Sequence, residues 1–369
     1  MDQAETTRAK TIMLVMPELF WGGAETQFRY LIKGLNKSQN NLKVVVEHSR
    51  RERNSQDGDF INSLEANVEI LEPLGDGSKG ASMLTQARGL KQFFSQYETN
   101  KPDVILIYSG VSFLLIPWLK SKGHIVLYSD RNGEKDTLRQ RIKRRFYASA
   151  DTIVCNSEPT YEMRKQKNNN VVFIPNGTKV YEGETSSNYS STNILMVSRV
   201  APVKNIECAM RALAHLPKEF SITLIGKIED YSYKKRLEQL ARELGIEEQF
   251  IFAGYVSDVD AHFLNCFCTI LPSFEEGMPN AVLESWTHGR IAIVSDIPSN
   301  RALVKEPTLL FPPEDPNALA NQILALKALN EEEYESLSKT NKKIVKQDYS
   351  IQNMVKKYEK LFGTAPHHS

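Results

Sequence analysis

Short runs of aliphatic and β-branched residues alternate with amphipathic stretches of helical period along nearly the whole chain. This alternation constrains the fold most, because each element buries its apolar face only against its neighbours. The runs at 11–16, 42–47, 68–71, 104–108, 125–129, 152–155 and 171–174 are mostly too short for helices and read as strands. Between them, 24–35 sets Phe28, Leu31, Ile32 and Leu35 on one helical stripe. Residues 84–94 repeat that spacing with Leu84, Ala87, Leu90, Lys91 and Phe94. At 181–192 the sequence becomes YEGETSSNYSST, which lacks apolar periodicity and reads as a linker. The alternation then restarts, with strands at 194–197, 221–225, 250–253, 268–271 and 291–294 and helices at 205–214, 234–244, 258–265 and 280–288. The expectation is an α/β chain of two doubly wound, Rossmann-like domains, 1–180 and 193–345. The tail after Pro316 reads as helical, with Leu319, Ile323, Leu326 and Leu329 on one face, and 346–369 is expected to return to the first domain.

Composition supports two ordinary cores. With 369 residues, 41% hydrophobic and 25% charged, neither domain needs a staple. Cys155, Cys208, Cys266 and Cys268 lack repeated C-x-x-C spacing, which argues against a zinc ribbon or disulfide framework and for a reducing compartment. No run reaches the roughly 18 apolar residues of a membrane span. The first ten residues, with Asp2 and Glu5, lack the order of a signal peptide, so a cytoplasmic location is expected.

The balanced total charge hides an asymmetry. Residues 1–180 carry 26 Lys and Arg against 20 Asp and Glu, and residues 181–369 carry 20 against 25. Much of the excess lies in Arg139, Arg141, Lys143, Arg144 and Arg145, with Arg50, Arg51 and Arg53 as a second cluster. Ile142 and Phe146, four apart among the first group, suit a surface-lying amphipathic segment. A polyanion or the anionic inner face of a membrane, and plain solvated surface, both account for these charges. Nucleic acid is not the expected partner.

Ligands of open α/β sheets bind beyond the carboxyl ends of the strands, so the loops there are informative. After the first strand, Gly22 and Gly23 open a helix whose N–H groups suit an anion; a tight turn without a ligand explains them equally well. The second domain's first strand leads to Arg199 and Lys204, cations placed to clamp a diphosphate. In 271–284, Glu275 and Glu276 precede Gly277, Met278, Pro279 and Asn280, which enter a helix carrying Glu284. Carboxylates there accept hydrogen bonds from sugar or ribose hydroxyls. Compensation of the helix dipole accounts for Glu275 and Glu276 better than for Glu284.

Together these residues closely resemble the retaining, GT-B-fold glycosyltransferases of glycosyltransferase family 4. The landmarks are Arg199 with Lys204, Gly254, the Glu276/Glu284 pair inside P-S-x-x-E-G-x-P-x-x-x-x-E, and Gly289. In the first half, Gly22-Gly23-Ala24-Glu25, Ala150-Asp151, Asn156-Ser157-Glu158 and Pro175-Asn176-Gly177 also match. The resemblance implies two Rossmann-like domains facing a central cleft and transfer of a sugar from a nucleotide-diphosphate sugar with its anomeric configuration kept. It implies that Arg199 and Lys204 bind the diphosphate, that Glu284 holds the ribose, and that Glu276 with the backbone of Gly277, Met278, Pro279 and Asn280 holds the transferred sugar. Gly23, beside Gly22, would bring its N–H to the phosphate. Many relatives carry a histidine after the fifth strand; here Asp130 and Arg131 stand there. Asp130 is the candidate for the sugar hydroxyl, and Arg131 with Glu25 for the acceptor, while an Asp130–Arg131 structural pair is the plainer reading.

Asp258-Val259-Asp260 has the D-x-D pattern of another glycosyltransferase fold, but it opens an amphipathic helix, so no metal or other cofactor is expected. His262, His288 and the terminal His367-His368 lack partners at metal spacing. The expected substrates are a UDP-sugar, with GDP-mannose as the competing donor, and a glycan or lipid-linked acceptor of surface polysaccharide synthesis. The alternatives are a nucleotide-sugar epimerase or hydrolase of the same fold and a non-catalytic nucleotide-sugar-binding partner.

Overall fold

The computed structural model describes residues 9–19, 22–35, 40–47, 68–74, 81–131, 138–168, 170–185, 188–256 and 258–364. Trp21, the cluster Arg50, Arg51 and Arg53, the side chain of Arg139, and His367 and His368 lie outside the described residues. The chain divides into two compact units, residues 1–177 with 351–369 and residues 178–350.

The first unit is built on β1 (Thr11–Met16), β2 (Asn41–Val46), β3 (Val68–Leu71), β4 (Val104–Ile107), β5 (Val126–Asp130), β6 (Thr152–Cys155) and β7 (Val171–Phe173). They form one sheet in the order β3-β2-β1-β4-β5-β6-β7, parallel at every pairing. Its helices include α1 (Gly23–Leu35), α2 (Met83–Ser95), α3 (Ile116–Ser121), α4 (Leu138–Tyr147) and α5 (Glu158–Lys165). Alternate strand residues feed opposite cores. Ile12 and Leu14 pack with Phe28, Leu31 and Ile32 of α1, whereas Met13 and Val15 pack with Leu90 and Phe94 of α2, Leu119 of α3 and Tyr147 of α4. Leu84, placed on the buried stripe by its spacing, is instead 70% exposed. It sits on the first turn of α2, before Gln86 and Ala87 reach the sheet.

The second unit holds β8 (Asn193–Val197), β9 (Ser221–Ile225), β10 (Phe250–Gly254), β11 (Cys268–Leu271), β12 (Ile291–Ser295) and β13 (Leu310–Phe311) in the order β10-β9-β8-β11-β12-β13. These pairings are also parallel. Its helices are α6 (Ile206–Ala214), α7 (Tyr231–Leu244), α8 (Asp260–Asn265), α9 (Asn280–Thr287), α10 (Pro298–Leu303), α11 (Pro316–Ala328) and α12 (Glu331–Asp348). All four cysteines are buried free thiols. Burial pushes Cys155, Cys208 and Cys266 up to about 12, so they behave as small apolar side chains.

The segment 181–192, read as a linker, is fastened to the second unit. The Tyr181 amide donates to Thr287 Oγ1 at 2.7 Å, Lys342 Nζ donates to Thr185 Oγ1 at 2.8 Å, and the Tyr189 hydroxyl donates to the Lys327 carbonyl at 3.0 Å. Tyr181 and Tyr189 are ring anchors against His288 and against Phe267 and Tyr334, a role that polar composition conceals. The division therefore falls at 177/178, and the chain returns at 350/351 rather than 345/346. There the Thr178 amide donates to the Tyr349 carbonyl at 2.8 Å, so the two crossings run side by side. The last helix, α13 (Ile351–Thr364), packs on α1 with Met354, Val355, Tyr358 and Phe362 buried. Gly34 permits that approach, since a Cβ there would meet the Val355 methyls.

Candidate active site

In the second unit the chemistry gathers at the carboxyl ends of β8, β9, β11 and β12, neighbours around the point where strand order reverses between β8 and β11. After β8 the chain passes Arg199, makes a 3-10 turn at Pro202–Lys204 and enters α6 through Asn205. Asn205 adopts the left-handed conformation, φ 51°, which asparagine tolerates better than most residues. Its buried amide donates to the Pro272 carbonyl at 3.0 Å and the Pro313 carbonyl at 2.7 Å. The Phe274 amide donates to the Val203 carbonyl at 2.9 Å. These bonds tie the loop after β8 to the loop after β11.

The tie brings Lys204 and Glu276 together, Nζ to Oε1 2.6 Å, with side chains only 13% and 11% exposed. At that depth the pair is screened less than a surface ion pair. Ser299 donates to the Glu276 carbonyl at 2.8 Å, and Ser295 donates to the Ser273 carbonyl at 2.6 Å, fixing the loop from the β12 side. Gly277, Met278 and Asn280 are half-buried and Pro279 is buried where the loop enters α9.

Arg199 stands apart from this pair, exposed, with Nη1 2.5 Å from Glu229 Oε1. Its loop depends on Gly226, at φ 154°, where any Cβ would collide with the Ser198 carbonyl. Glu284, on α9, keeps some exposed surface, yet its carboxyl is pushed up to about 7, first by removal from water and then by Asp260. Asp260 also meets His288 Nε2 at 3.0 Å, while His288 Nδ1 lies 2.7 Å from the Glu284 carbonyl oxygen. Asp258 accepts from the Asp260 amide at 3.0 Å, so both carboxylates of the D-x-D have protein partners.

In the first unit, Gly22 ends the loop after β1, and its carbonyl accepts from the Thr26 amide and hydroxyl, both at 3.0 Å. Gly23 is exposed at the start of α1, and the Glu25 carboxylate lies over Gly22, where it suits the helix dipole. Asp130 differs from expectation. It has no exposed surface, pairs with Arg164 Nε at 2.8 Å and accepts from the Tyr147 hydroxyl at 3.3 Å. A carboxylate committed in this way anchors α5 to the sheet and is closed to a sugar. The structural partner is Arg164, not Arg131. Arg131 instead donates from Nη1 to Asn176 Oδ1 at 2.7 Å and lies 4.1 Å from the centre of the Tyr108 ring.

On α4, Arg141 and Arg145 are exposed and Arg144 is half-buried. Lys143 turns inward over the rings of Phe113 and Tyr128, at 5.2 and 5.7 Å. Ile142 is 53% exposed, but Phe146 packs on Phe113 in the core, so the two do not form one apolar face. Sequence reasoning missed Asn205, Gly226 and Glu229. An Asn opening a helix and a Gly closing a strand are the local signals for the first two, whereas Glu229 lies 30 residues from Arg199 and has none.

Two parallel doubly wound sheets in tandem are the architecture of the GT-B fold. The Anabaena protein Alr3699/HepE, solved in complex with UDP and glucose, matches at a TM-score of 0.81 and 16% identity, over 96% of this chain and 100% of that one. The family model for glycosyl transferases group 1 matches residues 182–344, and that for Glycosyltransferase Family 4 matches residues 21–180. The chain belongs to glycosyltransferase family 4. An uncharacterized glycosyltransferase of Haemophilus influenzae is 24% identical over 209 residues, 55% of this chain and 58% of the relative. The lipopolysaccharide core biosynthesis glycosyltransferase LpsE of Rhizobium meliloti is 24% identical over 197 residues, 51% and 54% respectively. The chain thus spans a little over half the length of these curated relatives.

Proposed function

We propose that the protein is a retaining, metal-independent glycosyltransferase that moves a hexosyl or N-acetylhexosaminyl group from a UDP-sugar to a glycan or lipid-linked acceptor in surface polysaccharide or glycoconjugate synthesis. The observation that carries this reading is the Lys204–Glu276 pair, two functional groups from different strand ends held 2.6 Å apart at the switch point of the sheet. A diphosphate arriving there competes with Glu276 for Lys204. The freed carboxylate then accepts hydroxyls of the transferred sugar, and Lys204 with Arg199 stabilises charge developing on the leaving nucleotide. Glu284 holds the ribose, and the amides at Gly277, Met278 and Asn280 serve the sugar and phosphate end. UDP is favoured over GDP because HepE was solved with UDP, and a surface-polymer acceptor because LpsE works in lipopolysaccharide core synthesis.

A panel of UDP-, GDP- and ADP-sugars, incubated with the protein and a glycolipid fraction, tests the reading. A UDP-sugar is the donor expected to be consumed, with the product's anomeric configuration matching the donor's by NMR. Lys204→Ala and Glu276→Ala are each expected to lower turnover by about 10²–10³, the usual cost of losing one preorganised electrostatic contact. Consumption of no donor, or unchanged turnover in both variants, sinks it.

The same reading places the first unit on an anionic membrane surface. The elements α2, α3 and α4, with the 3-10 turn Ser112–Leu115 among them, contain Arg88, Lys91, Lys120, Arg139, Arg141, Lys143, Arg144 and Arg145 but no Asp or Glu. All cover one face of the sheet. Met83 and Leu84 on α2 and Ile142 on α4 add exposed apolar side chains to that single-sign layer. Among the described residues no helix is long and apolar enough to cross a membrane.

A further inference from the structure

Four neighbouring strands of the first unit end in a polar group that the donor chemistry leaves unused. Tyr108 follows β4, Arg131 follows β5, Asn156 follows β6 and Asn176 lies just beyond β7. Gln27 of α1 fixes the floor, with its amide nitrogen donating to the Gly177 carbonyl and its amide oxygen accepting from the Gly177 N–H, both at 2.8 Å. Asn176 Oδ1, held beside Gly177, accepts from Arg131 Nη1 at 2.7 Å and from the Asn156 amide at 3.3 Å. The Tyr108 ring supports the guanidinium from below at 4.1 Å.

This support uses one edge of the guanidinium and leaves the other. Arg131 Nε and Nη2 are covered from solvent and make no hydrogen bond among the described residues. Nor do the neighbouring Asn156 Oδ1 and Tyr108 hydroxyl, although both residues are at least nine-tenths buried. The hydroxyls of Tyr108 and Tyr358 lie within electrostatic reach of one another and of Arg131, but no hydrogen bond of ordinary geometry closes among them. Burial pushes the Tyr108 phenol well up, so it stays a neutral donor. Covered charged donors are costly to leave unsatisfied. The Nε–Nη2 edge is the side of the fork that matches two oxygens of a carboxylate or phosphate. Asp130, the adjacent carboxylate, is already committed to Arg164.

We propose that the first unit carries an oxyanion subsite, in which the Nε–Nη2 edge of Arg131 holds a phosphate or carboxylate group of the acceptor. Asn156 and Tyr108 take hydroxyls beside that group. Assigning the anion to the acceptor rests on the glycosyltransferase reading, in which the donor diphosphate is held by Arg199 and Lys204 in the second unit. Arg131 thereby selects anionic acceptors over neutral ones of the same shape.

Thermal midpoints of the full chain are titrated at constant ionic strength with inorganic phosphate, with methyl β-D-glucuronide and with neutral methyl β-D-glucoside, each with and without saturating UDP. With UDP present, at least one anion is expected to raise the midpoint and the glucoside is not. A response to phosphate identifies a phosphorylated acceptor, and a response to the glucuronide an acidic sugar. Arg131→Gln is expected to weaken the anion at least tenfold while leaving UDP affinity within twofold. Its own midpoint should equal or exceed the parent's, because it removes covered donors that lack partners. Arg131→Lys, which keeps charge without the fork, should fall between parent and Arg131→Gln, and it carries the test if the glutamine variant does not fold. The proposal is overturned if neither anion binds the parent, if the variants bind anions as the parent does, or if Arg131→Gln loses UDP in parallel. Failure of UDP to bind the parent counts against the donor reading instead, and the arms without UDP still compare the anions with and without Arg131.

Discussion

Glu284 shows how a single side chain can register its surroundings. Its carboxyl ordinarily titrates near 4.5 but is pushed up to about 7 in the fold, chiefly by removal from water. Between those values the folded chain binds more protons than the unfolded one, so this group's contribution to stability falls as pH rises through that window and levels off above it. Glu284→Gln removes the dependence. The midpoint of the variant minus that of the parent is expected to grow from pH 5 to pH 8, and a difference independent of pH would show that the carboxyl titrates normally. Its place at the head of α9 was legible in the sequence, because the seven-residue interval after Glu276 is local. The shift was not, because it arises from Asp260 and from packing that spacing does not encode. Asp130 fails in the same manner: its partner Arg164 is 34 residues away, and nothing in Ser129-Asp130-Arg131 distinguishes a buried anchor from a site carboxylate.

At the scale of elements, the strands were readable almost to the residue, since a short apolar run buried on both faces has few other uses. β1, β3, β6, β9 and β11 begin and end where the pattern places them. The two-residue β13 carries too little periodicity to be seen. The helices α2, α3 and α4 show what strand and helix patterns leave out, because their shared charge emerges only when the sheet sets them on one face. If this layer meets a membrane, liposome sedimentation should show binding to vesicles containing anionic lipid that weakens with added salt. Replacing Arg141 and Arg145 by Glu together should reduce it by about tenfold or more, given roughly 1 kcal/mol per basic residue near an anionic surface. Equal binding to neutral and anionic vesicles would remove the idea.

For the whole molecule, the chain order of the two units matters more than their likeness. α13 buries Met354, Val355, Tyr358 and Phe362 in the first unit, at about 1.5–3 kcal/mol each. That is comparable with the entire stability of a typical domain, about 5–15 kcal/mol. A chain ending at Ser350 should therefore keep a protease-resistant second unit while residues 9–177 are cut rapidly. Equal resistance of both units would show that α13 is dispensable. The side-by-side crossings at Thr178 and Ser350 also impose an order on biosynthesis. The second unit has all of its residues once position 350 clears the ribosome, whereas the first unit, although synthesised earlier, waits for the last helix. The half of the chain made first is thus the half completed last, and until then the apolar side of α1 meant for α13 is an exposed surface that chaperones can hold.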